Sequence, residues 1–230
     1  LLAAALFGAG TPLAKALLGG AQPWMLAGLL YLGSGIGLTV LRAARSAPRV
    51  RLPAPDRWWL AGAVLAGGVV GPVLLMIGLS RMPASGASLL LNAEGVFTAL
   101  LAWFAFRENV DRRIAMGMLA IVAGALVLSW PGEARFGDIW PALAVLGACL
   151  SWAIDNNLTR KVALNDAMWI ASIKGLAAGG VNLALAFVAG GALPAAPVVA
   201  GALMLGFAAY GVSLVLFVIG LRHLGTARTG

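Results

Sequence analysis

The chain has 230 residues, 61% of them apolar and 10% charged, with a mean hydropathy of +0.96. That leaves too little polar surface to hold a globule of this size in water, so the chain reads as a polytopic membrane protein. Its net charge of +8 would suit nucleic acid, but the basic residues sit in short segments beside apolar stretches, where the positive-inside rule already accounts for them.

A spanning helix needs about 20 apolar residues to cross about 30 Å of hydrocarbon. Eight such segments follow one another: Leu1–Leu18, Trp24–Ala43, Trp58–Ser80, Ala84–Phe106, Ile114–Trp130, Pro141–Thr159, Ala167–Ala189 and Pro197–Leu221. Stretches such as Ala115–Leu128 and Leu203–Leu221 are apolar on every face, which suits helices and not the alternation of membrane β-strands. Leu1 has no basic leader before it, so no cleavable signal peptide is visible, and the chain reads as beginning inside its first helix. Arg42, Arg45, Arg49, Arg51 and Arg57 follow the second segment, Arg107, Arg112 and Arg113 the fourth, and Arg160 and Lys161 the sixth. Arg222 and Arg228 follow the eighth, while Arg81 and Arg135 stand alone on the other side. This bias puts the even loops and the amino terminus in the cytoplasm.

Charged groups inside spans cost about 2.5–3.5 kcal/mol at a helix centre and therefore pair or face a cavity. In chain order, the polar residues inside spans are Lys15, Asn92, Glu94, Asp155, Asn156, Asn157, Lys174 and Asn182. At about 1.5 Å per residue, Asp155 and Lys174 reach the same depth, roughly 8–12 Å below the inner surface, and form a candidate ion pair. Such a pair either locks the sixth and seventh helices together or offers Lys174 to an anionic solute group or a moving proton. Glu94 lies near the midplane, with Asn92 on a different face of the same helix. It is a candidate proton-coupling carboxylate, or else a neutral carboxyl bonded to a neighbouring helix. Asn156, Asn157 and Asn182 point inward, either to a polar solute or to adjacent helices.

Trp24, Trp58, Trp59, Trp130, Trp140 and Trp169 fall at span ends, as an interfacial belt would. Phe7, Tyr31, Trp152 and Tyr210 lie deeper and are candidates for lining a cavity. The glycine pairs Gly33/Gly37, Gly67/Gly71 and Gly175/Gly179 have the spacing of close helix contacts, and Pro12, Pro72 and Pro83 provide bends. Cys149 is the only cysteine, which excludes an intrachain disulfide, and its small neighbours give it a packing role.

The chain also repeats itself. Leu75-Met76-Ile77-Gly78-Leu79-Ser80-Arg81-Met82 returns as Phe217-Val218-Ile219-Gly220-Leu221-Arg222-His223-Leu224, while a slightly longer offset pairs Phe7 with Trp152, Lys15 with Arg160 and Trp24 with Trp169. The unit holds about five helices, divided as residues 1–130 and 131–230. An odd number of spans inverts the second copy, the geometry of alternating-access carriers. The loop charges require the same inversion, since Arg81 falls outside and His223 inside.

The run from Ala84 through Asn92, Glu94 and Gly95 to Leu100, followed by Phe106-Arg107-Glu108, resembles the fourth helix and following turn of EamA-type members of the drug/metabolite transporter superfamily. Phe7-Gly8-Ala9-Gly10-Thr11-Pro12 and the helix bearing Gly117 and Gly124 are similar to other parts of that family. The resemblance spans the chain. It implies an all-α polytopic membrane protein of two inverted five-helix repeats, with eight of ten transmembrane helices present and the second repeat truncated. It also implies export or exchange of a small organic solute through a central cavity.

The expected function is therefore secondary transport of a small metabolite, an amino-acid-like one among them, or of a drug, by alternating access in the bacterial inner membrane. Protons and membrane lipids are candidate partners, no cofactor or metal is expected, and the oligomeric state is open. The alternatives are a lipid-linked solute translocase and a non-transporting structural or regulatory subunit. An enzyme is not expected: the only histidine, His223, lies at a loop, and Asp155 has no aspartate partner inside another span. Histidine, cysteine and carboxylate residues do not cluster as a metal site requires.

Overall fold

A computed structural model describes residues 2–79, 81–82, 84–108, 112–129 and 139–229, and no strand occurs among them. The expectations for Trp130 and Arg135, and for the side chains of Phe7, Pro12, Lys15 and Pro83, fall outside the described residues. Besides the short turns Leu18–Gly20 and Thr226–Thr229, eight helical segments of 16 residues or more lie within them. They are α1 (Leu2–Leu17), α2 (Pro23–Ala44), α3 (54–79), α4 (84–104), α5 (Arg112–Ser129), α6 (Ile139–Val162), α7 (Ala167–Val188) and α8 (Ala196–Leu224). Pro23–Ala44, Ala54–Leu75, Ile139–Val162, Ala167–Val188 and Ala196–Leu224 are long and apolar enough to cross a membrane, and Leu89–Phe104 is a shorter apolar helix. The protein is an all-helical, multi-pass membrane protein.

Several ends differ from the hydropathy reading for local reasons. α3 begins at Ala54, ahead of Trp58, because Pro53 is extended and Pro55 takes the first turn, where a missing N–H costs nothing. α6 runs on through Arg160 and Lys161 to Val162, since a helix outlasts the hydrocarbon and basic residues favour its carbonyl end. α4 is interrupted at Asn92, whose N–H turns back to Leu89 O at 3.2 Å; the Cys149 thiol from α6 approaches the loosened carbonyl of Leu90 at 3.5 Å.

α3 and α8 each contain a wider π turn, Val64–Val70 and Gly206–Val212. The offset that pairs Gly78 with Gly220 also pairs Val64 with Gly206 and Val70 with Val212. In α3, the Gly71 N–H reaches back to Ala66 O, which leaves Gly67 O without its helical donor, and Pro72 has no N–H to supply. The Trp152 indole N–H donates to Gly67 O at 3.1 Å, and Asn182 Nδ2 donates to Gly68 O at 3.1 Å. In α8 the equivalent carbonyl, Ala209 O, instead accepts from Ser213 Oγ of the same helix.

α2 and α7 cross closely because glycine removes the side chains between them. A Cβ on Gly35 would lie 2.4 Å from Leu176 N, one on Gly175 2.6 Å from Gly35 N, and one on Gly179 2.6 Å from Leu32 N. α2 also meets α8, where a Cβ on Gly33 would lie 2.2 Å from Leu203 O and one on Gly206 2.0 Å from Leu30 O. At one membrane face Asp166 caps α7, its carboxylate accepting from Trp169 N at 2.9 Å and pairing with Arg42 at the end of α2. Arg222, in the last turn of α8, donates to Ala163 O at 2.6 Å and ties α8 to the α6–α7 turn.

Two outcomes follow. Gly35→Ala forces the α2 and α7 backbones apart and should lower the thermal unfolding midpoint of the detergent-purified protein, at a cost of about 1–3 kcal/mol. Gly117→Ala on the exposed face of α5, where an added Cβ meets nothing within 4 Å, should leave the midpoint unchanged or slightly raised. Partial burial pushes the Asp166 carboxyl up, but the Trp169 N–H and Arg42 outweigh it and hold the group below the usual carboxylate range. A lowered folded pKa contributes stability above the unfolded value of about 3.9 and loses it as pH falls through the folded value. Asp166→Asn should therefore lower the midpoint at pH 7, with the difference from wild type shrinking below about pH 4.

Candidate functional site

The polar residues of α6 meet side chains of α4 and α7 and the glycine backbone of α3 in one buried cluster. Lys174 Nζ from α7 lies 2.5 Å from Asp155 Oδ1 and 2.9 Å from Thr159 Oγ1, and the Thr159 hydroxyl donates to the same carboxylate oxygen at 2.9 Å. The two side chains that helix rise brings to a similar level thus meet as an ion pair. Asp155 fits only because α3 presents Gly67, where a Cβ would lie 1.9 Å from Asp155 Oδ2. Gly71 makes the same room for the Trp152 ring.

Beside the ion pair, Asn156 Nδ2 donates to Glu94 Oε1 at 3.1 Å and to Thr98 Oγ1 at 3.3 Å. Asn157 Nδ2 donates to Thr98 O at 3.1 Å and to Ala153 O at 2.9 Å, while Asn182 Nδ2 is shared between Gly68 O and Ala178 O. Asn157 and Asn182 thus spend both amide hydrogens on backbone carbonyls. Their Oδ1 atoms are buried and accept no hydrogen bond among the described residues. Tyr31 of α2 and Tyr210 in the π turn of α8 meet edge to face, with centroids 6.0 Å apart, and Tyr31 lies within electrostatic range of Asp155 and Glu94.

Glu94, Asp155, Asn156, Asn157, Lys174, Asn182, Trp152, Tyr31 and Tyr210 thus gather at the junction of α2, α3, α4, α6, α7 and α8. Asn92 does not join them: it is exposed at the break in α4, with Nδ2 donating to Leu89 O at 3.2 Å. Trp152 and Asn182 arrive chiefly as donors to the π turn of α3. Thr98 and Thr159 are fully buried members of the cluster that hydropathy passes over, each one helical turn beyond a carboxylate on its own helix. A group of three or more metal-binding side chains is absent among the described residues.

Two open cavities lie away from the cluster. One of about 910 Å³ runs between α3 and α7, and one of about 510 Å³ lies beside the α2–α3 loop.

Residues 1–130 match the EamA-like transporter family. The chain belongs to that family, within the drug/metabolite transporter superfamily. It is 27% identical to an uncharacterized transporter of Methanothermobacter thermautotrophicus over 97% of this chain and 71% of that one. Over 44% of this chain and 89% of the relative, it is 32% identical to a protein of Pseudomonas fluorescens named as a probable 4-amino-4-deoxy-L-arabinose-phosphoundecaprenol flippase subunit, ArnE. It spans 55% and 60% of two further curated bacterial transporters that it matches. A solved structure superposes with a TM-score of 0.80 at 21% identity, over 99% of this chain and 79% of that one, so the helical arrangement is shared.

Removing one partner from a buried ion pair strands the other charge, at about 3–5 kcal/mol, whereas replacing both with apolar groups is close to neutral. Lys174→Met alone should therefore lower the unfolding midpoint sharply. Lys174→Met combined with Asp155→Leu should recover most of the loss in the same thermal scan.

Proposed function

We propose that this EamA-like protein is a secondary transporter. In this reading it moves a small organic metabolite, amino-acid-like solutes among them, or a drug across the cytoplasmic membrane by alternating access, as an exporter or exchanger. The observation that carries the reading is the position of the Asp155–Lys174 pair. It is buried against the π turn of α3 where α3, α6 and α7 meet, and two amides of the same cluster, Asn157 and Asn182, hold buried carbonyl oxygens with no hydrogen-bond partner among the described residues. A scaffold would gain more from apolar packing there, whereas a carrier needs charges and unsatisfied acceptors that a solute can engage.

The two-copy organisation, 1–130 and 131–230 in inverted orientation with the amino terminus inside, is part of the same proposal. Its support is the matching offset of the two π turns and of the sequence repeat, together with the loop charges. Lys174 binds an anionic solute group, Asn157 and Asn182 offer carbonyl acceptors to its donors, and Glu94 takes the coupling proton. Tyr31 and Tyr210 close one side of the path. The packed cluster corresponds to an occluded state, from which rocking at the α2–α7 glycine contact opens the site to one side at a time.

The test is transport by the full-length protein in proteoliposomes, with a panel of labelled amino acids and a cationic dye, with and without a pH gradient. Uptake should respond to the gradient in the wild type and lose that response in Glu94→Gln. The charge-swapped variant Asp155→Lys with Lys174→Asp retains a pair but reverses its direction. It should stay folded and lose at least tenfold in rate. Wild-type transport by the swapped variant would reduce the pair to a helix lock.

A further inference from the structure

The cavity between α3 and α7 is unrelated to the polar cluster in both shape and lining. Its walls are Leu60, Val64, Leu65 and Val69 of α3, with Ile173 and Ala177 of α7. They are wholly apolar and open toward the side of the helix bundle. Its mouth carries Arg51 and Arg57 and is continuous, through Val50 and Trp169, with the second cavity, which holds Arg42 and Arg49. Arg42 is committed to Asp166, and Arg57 Nε donates to Leu52 O at 3.3 Å, which leaves its terminal nitrogens directed elsewhere. Arg49, Arg51 and Arg57 are exposed, and among the described residues none has a carboxylate within 4.0 Å.

The dimensions select the occupant. From Arg57 to Val69 the slot runs along twelve residues of helix, or roughly 18 Å, close to the depth of one leaflet of a hydrocarbon core about 30 Å thick. Trp58 and Trp59, exposed on the second turn of α3, mark the membrane interface at the level of the arginines. A cationic rim above an apolar slot one leaflet deep has the chemistry of an anionic phospholipid: phosphate at the rim, acyl chain along α3. A solute passing through the protein would find no polar partner below the rim. We infer that this groove is a binding site for an anionic phospholipid of the leaflet beside the α2–α3 loop, held by Arg51 and Arg57 at the phosphate, with an acyl chain packed between Leu65, Val69 and Ile173. The site lies outside the solute path and stands whether or not the transport reading does.

Native mass spectrometry of the full-length protein, delipidated and titrated with dioleoyl phosphatidylglycerol or dioleoyl phosphatidylcholine, tests the site. The wild type should retain phosphatidylglycerol in preference. Arg51→Gln with Arg57→Gln should weaken that binding about 25-fold, at roughly fivefold per arginine. Leu65→Trp, which fills the slot and keeps the rim, should weaken both lipids. Arg113→Gln, an exposed arginine in the first turn of α5, should change neither. Equal retention of the two lipids by the wild type would overturn the inference. So would equal losses in the Arg113 control and the rim variant, or retention of neither lipid, the result expected if another protein segment closes the groove.

Discussion

A backbone carbonyl in hydrocarbon must find a donor within the protein, because no water is there to serve it. In α3 the wide turn at Val64–Val70, followed by Pro72, leaves Gly67 O and Gly68 O in that position, and the rest of the bundle is arranged around them. Their donors are Trp152 and Asn182, carried by α6 and α7. Gly67 and Gly71 then have no side chain to obstruct the approach, so α6 comes close enough to set Asp155 against α3 and within reach of Lys174. The charged pair and the carbonyl donors are parts of one arrangement, carried on the same two helices.

α3 and α8 use the same backbone device to different ends. α8 has its own wide turn at the equivalent place, but Ser213 bonds the equivalent carbonyl from within the helix. α3 is thereby bound to α6 and α7, while α8 meets its neighbours mostly through glycine and apolar contacts such as Gly206 against Leu30. The polar chemistry gathers on the α3 side, and Glu94 and Thr98 join it through Asn156 rather than by facing the ion pair directly.

Much of this was legible in the residues. Hydropathy located the helices to within a few positions, missing mainly where Pro53 and Pro55 started α3 early and where Arg160 and Lys161 prolonged α6 beyond the bilayer. Rise per residue was enough to bring Asp155 and Lys174 together, because both depths are counted from nearby helix ends. The role of Trp152 was hidden, since an aromatic in mid-span looks like a cavity wall until the backbone register of a distant helix is known. Pro72 five residues after Gly67 was the available signal. Thr98 and Thr159 were hidden by their modest hydropathy, though each stands four residues after a carboxylate. Asn92 misled because a helix break turned it outward, and a single asparagine does not announce such a break.

The crossing of α2 and α7 has a mechanical meaning beyond close packing. Where helices meet through interlocked side chains, sliding one past the other requires rotamers to unlock, and the contact behaves as a ratchet. Gly35, Gly175 and Gly179 bring backbone against backbone, and only the Leu176 and Leu32 side chains lie in the spaces the glycines leave. Such a contact resists separation but opposes small rotations weakly, as a bearing does. The stiff elements of the molecule lie around it: the donors to α3 on one side, and the Arg42–Asp166 and Arg222 ties at the membrane face. The protein is thus built with its compliance at the centre and its restraints at the edges, so the sequence of motion would be set by which peripheral tie releases first.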